Sequence, residues 1–197
     1  MALGSDYKIM SVVKPITRFG FTTVDLLVAI SIFIIIASIM IANFRQGSQQ
    51  DQLRQAGFLV ASVLEQAQAQ ALAGTTVNIG GSTFVPSGGY GVYFDLSSSN
   101  QLILFPDLNS NGLFDSANEI ISGWTYNLPA NVTINTLTPV LPAVAFSFRP
   151  PLGDRYINGS LNGGGWGGSL QVGLRHSRSG NLINVTVNAI SGQINVQ

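Results

Sequence analysis

Arg18-Phe-Gly-Phe-Thr-Thr-Val-Asp25 runs straight into Leu26–Ala42, a stretch in which only Ser31 and Ser38 are polar. A helix closes its own backbone hydrogen bonds, so a segment of this length and composition suits hydrocarbon better than water. We read it as membrane-inserted. Asp25 stands against that reading unless it has a partner, because a carboxylate at the edge of an apolar span is costly in lipid. Cleavage after Gly20 would supply one: the new amine of Phe21 is a cation, and Asp25 lies one turn further along the same helix. The pair could form within one subunit or between two.

The eleven residues that carry this pattern, Gly20-Phe21-Thr22-Thr23-Val24-Asp25-Leu26-Leu27-Val28-Ala29-Ile30, resemble the class III signal of type IV prepilins and type II secretion pseudopilins. The resemblance implies that a prepilin peptidase cuts after Gly20 and N-methylates Phe21. It also places Asp25 where the family usually carries glutamate, in the role of setting assembly register. Aspartate keeps the charge with one methylene less. A helical proline often found in the family near the end of the apolar segment is absent, with Ala42 and Asn43 about where it would fall. The implied partners are other pilins or pseudopilins in a filament, the peptidase and the bacterial inner membrane, with the head extracytoplasmic.

Residues 1–20 then read as a leader, held on the cytoplasmic side by Lys8, Lys14 and Arg18, with Met10 an alternative start. A secretory signal peptide is a poorer description, because Ile39 and Met40 are bulky where small residues would be needed for cleavage near Ala42. A plain signal anchor accounts for the apolar run and the upstream charges but leaves Gly20-Phe21 and Asp25 as coincidences.

Beyond the span, Asn43–Ala73 lacks proline and is rich in Ala, Gln and Leu, so the helix is expected to continue, for roughly 80 Å in all from Phe21. Residues 21–44 form its transmembrane or filament-core part. Leu53, Ala56, Val60, Val63, Leu64, Ala67 and Ala71 recur at helical spacing, whereas Gln49, Gln52, Glu65 and Gln70 are expected to face elsewhere. Gly74 supplies a stop. From residue 74 to 197 the chain changes to short Val/Ile/Tyr/Phe/Thr-rich runs punctuated by Gly, Asn, Ser and Pro. Strands are expected over 76–79, 90–95, 101–105, 132–136, 143–148, 170–174, 183–188 and 194–196. In the penultimate one, Ile183, Val185 and Val187 alternate with Asn184, Thr186 and Asn188. Ser191-Gly192 turns the chain into the last strand. The fold class is therefore α+β: a long N-terminal helix packed on an antiparallel sheet or sandwich head of pilin type. The order of long helix, Gly89-Tyr-Gly-Val-Tyr-Phe-Asp95 and closing hairpin resembles the GspH/FimT-like branch of the pseudopilins.

The whole chain of 197 residues has net charge +0, only 9% charged residues, 22 glycines and no cysteine. This excludes a disulfide frame, a thiolate metal site and a cysteine nucleophile, and it argues against a nucleic-acid footprint spread over the surface. Within the head, Asp107, Asn109, Asn111, Leu113 (through its carbonyl), Asp115 and Glu119 are spaced like the oxygen ligands of a calcium loop, with Gly112 at the bend. Glu119 falls one residue later than the usual EF-hand glutamate, and an Asx-rich turn needing no metal is the alternative.

An enzyme is not indicated. Asp95, Asp107, Asp115, Glu119 and Asp154 could furnish a carboxylate pair for a secreted, membrane-anchored hydrolase, but no motif singles one out. His176, the sole histidine, reads as a solvated strand-end residue. Asn162–Gly168 reads as a hairpin loop with Trp166 a contact point. Arg175, His176 and Arg178 form the one local basic cluster, and they leave open a DNA-uptake pilin that contacts nucleic acid through Arg175 and Arg178. Three sequons, at Asn131, Asn158 and Asn184, carry no expected modification in a bacterial envelope protein.

Overall fold

The computed structural model of the chain describes residues 20–116, 118–165 and 167–197. Most of the expected leader, with Lys8, Met10, Lys14 and Arg18, lies outside the described residues, as does Trp166. The chain divides into two units, Met1–Asn43 and Phe44–Gln197, and helix α1 (Thr23–Ala73) contributes to both.

In the first unit α1 starts two residues after Phe21, because Thr22 caps it. The Thr22 hydroxyl oxygen accepts the Asp25 amide at 3.2 Å, and Asp25 Oδ2 accepts the Thr22 amide at 3.0 Å and its hydroxyl at 2.8 Å. This is a reciprocal capping box. From Leu26 to Ile41 the large apolar side chains are exposed, Phe33 to 72% and Met40 to 67%. Ser31 and Ser38 return their hydroxyls to the carbonyls of Leu27 and Ile34, at 2.8 and 2.7 Å. The two polar groups in the span are thus satisfied without water. By length and composition α1 can cross a membrane.

In the second unit the seven residues Leu53, Ala56, Val60, Val63, Leu64, Ala67 and Ala71 are all buried, as their spacing requires. Gly74, with φ +58°, ends the helix. Its amide bonds to Ala71 O and that of Thr75 to Gln70 O, the paired bonds of a Schellman motif.

Twelve strands follow: β1 (Val77–Ile79), β2 (Ser82–Phe84), β3 (Tyr90–Asp95), β4 (Gln101–Pro106), β5 (Thr125–Asn127), β6 (Val132–Thr138), β7 (Ala143–Arg149), β8 (Asp154–Ile157), β9 (Ser160–Leu161), β10 (Ser169–His176), β11 (Leu182–Asn188) and β12 (Ile194–Val196). All eight expected strands are present to within two residues at each end. The strands β2, β5, β8 and β9 were not expected.

They form three antiparallel sheets, ordered β1-β2, β12-β11-β10-β6 and β5-β4-β3-β7-β8-β9. One core joins Tyr90, Val92, Phe94, Leu102, Leu104, Phe146 and Phe148 of the six-stranded sheet to Ile134, Leu170, Val172, Leu174, Val185 and Val187 of the four-stranded one, with the buried stripe of α1 against both. No hairpin joins the strands on either side of residues 162–168, because β9 lies at the edge of the six-stranded sheet and β10 in the four-stranded one.

At Gly57 the backbone of α1 comes close to the side chains of β11 and β12. A Cβ there would lie 2.8 Å from Val196 Cγ1 and 3.5 Å from Ile183 Cδ1. A helix-interior glycine is ordinarily unfavourable by about 1 kcal/mol relative to alanine, so this one exchanges propensity for contact. Gly57→Leu is accordingly expected to destabilise the chain by about 1–3 kcal/mol through overpacking against β12, read as a lowered unfolding midpoint. An unchanged midpoint would mean that β12 yields without cost.

Candidate functional site

Three places gather the residues singled out above. At the start of α1, Phe21 is 79% exposed, and the Asp25 carboxylate is engaged by Thr22. The capping role was not anticipated, although Thr22-x-x-Asp25 fits the spacing of a capping box. A new amine at Phe21 would therefore meet an acceptor already ordered by its neighbour.

The second place is the loop from Asp107 to Glu119, which leaves the end of β4. Asp107 and Glu119 are fully buried, so their oxygens need donors, and the backbone provides them. Asp107 Oδ1 accepts the Asn111 amide at 3.2 Å, and its Oδ2 accepts the Gly112 amide at 2.8 Å. Glu119 accepts the amides of Leu108 at 2.9 Å and Asp115 at 2.8 Å, which ties the two ends of the loop together. Asn109 and Asn111 turn their side-chain oxygens onto the amides of Asn111 and Leu113. Their side-chain nitrogens consequently face Asp115 Oδ2, at 2.6 and 3.1 Å. Gly112 takes the bend expected of it with φ +69°.

The loop is also fixed from outside. Arg149 donates to Ser110 O at 2.6 Å and to the Tyr156 hydroxyl at 2.9 Å, and Gly159 N donates to Gly112 O at 3.1 Å. Phe114 lies against Tyr93 and Phe105, with ring centroids 4.5 and 5.3 Å apart.

In this arrangement each oxygen of Asp107 and of Glu119, and the side-chain oxygens of Asn109 and Asn111, accept hydrogen bonds, the pattern of an Asx-rich turn. Among the described residues no group of three or more His, Cys, Asp or Glu side chains is placed to hold a metal ion.

The third place is the turn from β10 to β11. Arg175 and Arg178 are exposed there, but His176 is not the solvated residue expected: it is 1% exposed. Its Nδ1 accepts the backbone amides of Arg178 at 3.3 Å and Ser179 at 3.2 Å. Nδ1 is therefore the unprotonated nitrogen, and Nε2 donates to Gln52 Oε1 across 3.1 Å. Gln52, expected to face away from the sheets, is drawn in by this bond. His176 is a strut between the turn and α1.

Comparison with known proteins adds no assignment: no family model, no curated protein and no solved structure matches this chain.

Burial, reinforced by repulsion from Asp107 and Asp115, pushes the Glu119 carboxyl up from its ordinary value of 4.5, against the lowering effect of its two amide donors. Between that value and the higher native one, the folded chain holds a proton that the unfolded chain has released. Stability is therefore expected to fall as pH rises through this window. Unfolding midpoints across the acid range should show the fall in wild type and lose it in Glu119→Gln; an identical slope in both would remove Glu119 as its source. At the turn, His176→Ala strands two backbone amides and one glutamine oxygen. It should cost about 1–3 kcal/mol, measurable by the same unfolding experiment.

Proposed function

We propose that the chain is a structural subunit, rather than a catalyst, of a type IV pilus or type II secretion pseudopilus. It is processed after Gly20 and assembled through α1. The observation that carries the reading is the junction itself: Gly20-Phe21 sits four residues before Asp25, and Asp25 opens a helix whose next apolar turns are exposed all round. Such a surface needs lipid before assembly and other helices after it.

In this account Asp25 meets the methylated Phe21 amine of its own or a neighbouring subunit. A charge pair of this kind acts by penalising wrong registers more than by adding stability. Asp25→Ala should accordingly be cleaved and methylated at wild-type level yet assemble poorly. Wild-type filament yield from that variant would remove the register role. Because Asp25 also caps the helix, Asp25→Asn serves as the control that keeps an acceptor while losing the charge.

A second reading attaches calcium to the Asp107–Glu119 loop. It is supported by the oxygen spacing in the sequence and by the gathering of Asp107, Asp115 and Glu119 in one loop, whose repulsion adds to burial in raising the Glu119 carboxyl and would be relieved by a divalent cation. Calcium bound only by the folded state, at about a hundredfold over its dissociation constant, would stabilise by about 2.7 kcal/mol. The unfolding midpoint should then rise by roughly 5–10 °C, with the rise lost in Glu119→Gln. An unshifted midpoint leaves the loop as a metal-free turn.

A further inference from the structure

Among the described residues, a groove in the Phe44–Gln197 unit brings a cation, several neutral hydrogen-bonding groups, Asn131 among them, and an exposed aromatic ring together without a carboxylate. Phe44, Ser48, Gln49 and Gln52 line it from α1, and His176 and Arg178 line it from the β10–β11 turn. Phe44 is 82% exposed and Arg178 is also exposed. The fixed tautomer of His176 commits Gln52 Oε1 as an acceptor, which leaves the Gln52 side-chain NH2 to donate elsewhere. The groove therefore offers one positive charge and uncharged donors, the chemistry that receives a phosphate monoanion.

Its place in the chain narrows the source of that phosphate. Phe44 follows Ala42, the last residue of the apolar run, by two positions, and Gln52 follows it by ten. The α1 wall of the groove is thus joined to the end of that run by no more than ten residues of chain. A run held in the membrane tethers this wall near the headgroups, where aromatic and basic side chains are favoured.

We propose that the groove seats the phosphate of an anionic phospholipid, with Arg178 as its charge partner, Ser48, Gln49 and Gln52 as donors, and Phe44 at the acyl boundary. The inference rests on the membrane-anchored reading above. A nucleic-acid backbone presents the same group, but lipid is favoured because the anchor holds headgroups next to the groove at high effective concentration.

The test uses the full chain in phosphatidylcholine nanodiscs with and without phosphatidylglycerol, following amide exchange over residues 177–181. Anionic lipid should slow exchange there about fivefold, the effect of one arginine near an anionic surface. Arg178→Gln should abolish the slowing and Arg178→Lys should retain most of it. Equal exchange in the two nanodiscs would overturn the proposal. So would an oligonucleotide or inorganic phosphate that slows exchange in phosphatidylcholine nanodiscs as much as phosphatidylglycerol does. A chain that fails to migrate with either nanodisc would overturn the anchored reading itself, and this inference with it.

Discussion

The head depends on the burial of one face of α1 against two sheets at once. Leu53, Val60, Val63 and Leu64 lie in the common core, and each such side chain is worth about 1.5–3 kcal/mol when removed from water. Polar contacts then fix how the helix lies on the sheets. Gln66 receives the Tyr126 hydroxyl from the six-stranded sheet at 2.9 Å, and Gln52 receives His176 from the four-stranded one. Gly57 leaves room for the Val196 side chain of β12. A chain without cysteine has no covalent frame to substitute for this packing.

The same helix changes its surface along its length. After Phe44 it is apolar on one face, as a surface helix of a globular domain should be; before Asn43 its large apolar side chains are exposed around the helix. This contrast links the fold to the proposed function. The first part calls for lipid or other helices, and the second calls for the head. The capping box at Thr22 and Asp25 starts the helix at the point where the processed chain would begin.

Much of this was legible because it is local. The α1 stripe, the stop at Gly74 and the alternation in β11 follow from spacing alone. What was missed falls into two kinds. Some signals were present and read otherwise: Asn158-Gly159, both with positive φ, forms the two-residue turn between β8 and β9, yet Asn158 had been noted only as a sequon. Gly80-Gly81 likewise turns β1 into β2. Other features are set by partners far along the chain. The buried His176 donates a hydrogen bond to Gln52, 124 residues away, and nothing near His176 announces this. The strands flanking the expected hairpin, β9 and β10, fall in different sheets, and sheet membership is not a local property. In the acidic loop, the spacing of oxygens was visible, but which donors would claim them was decided by buried backbone amides.

The central claim concerns the N terminus, and mass spectrometry of the protein extracted from membranes or sheared filaments of its native host tests it most directly. The account predicts a mature chain that begins at Phe21 with a methylated amine. A chain still carrying residues before Phe21 would contradict it and leave a signal-anchored envelope protein, whose role would then have to be sought in the head.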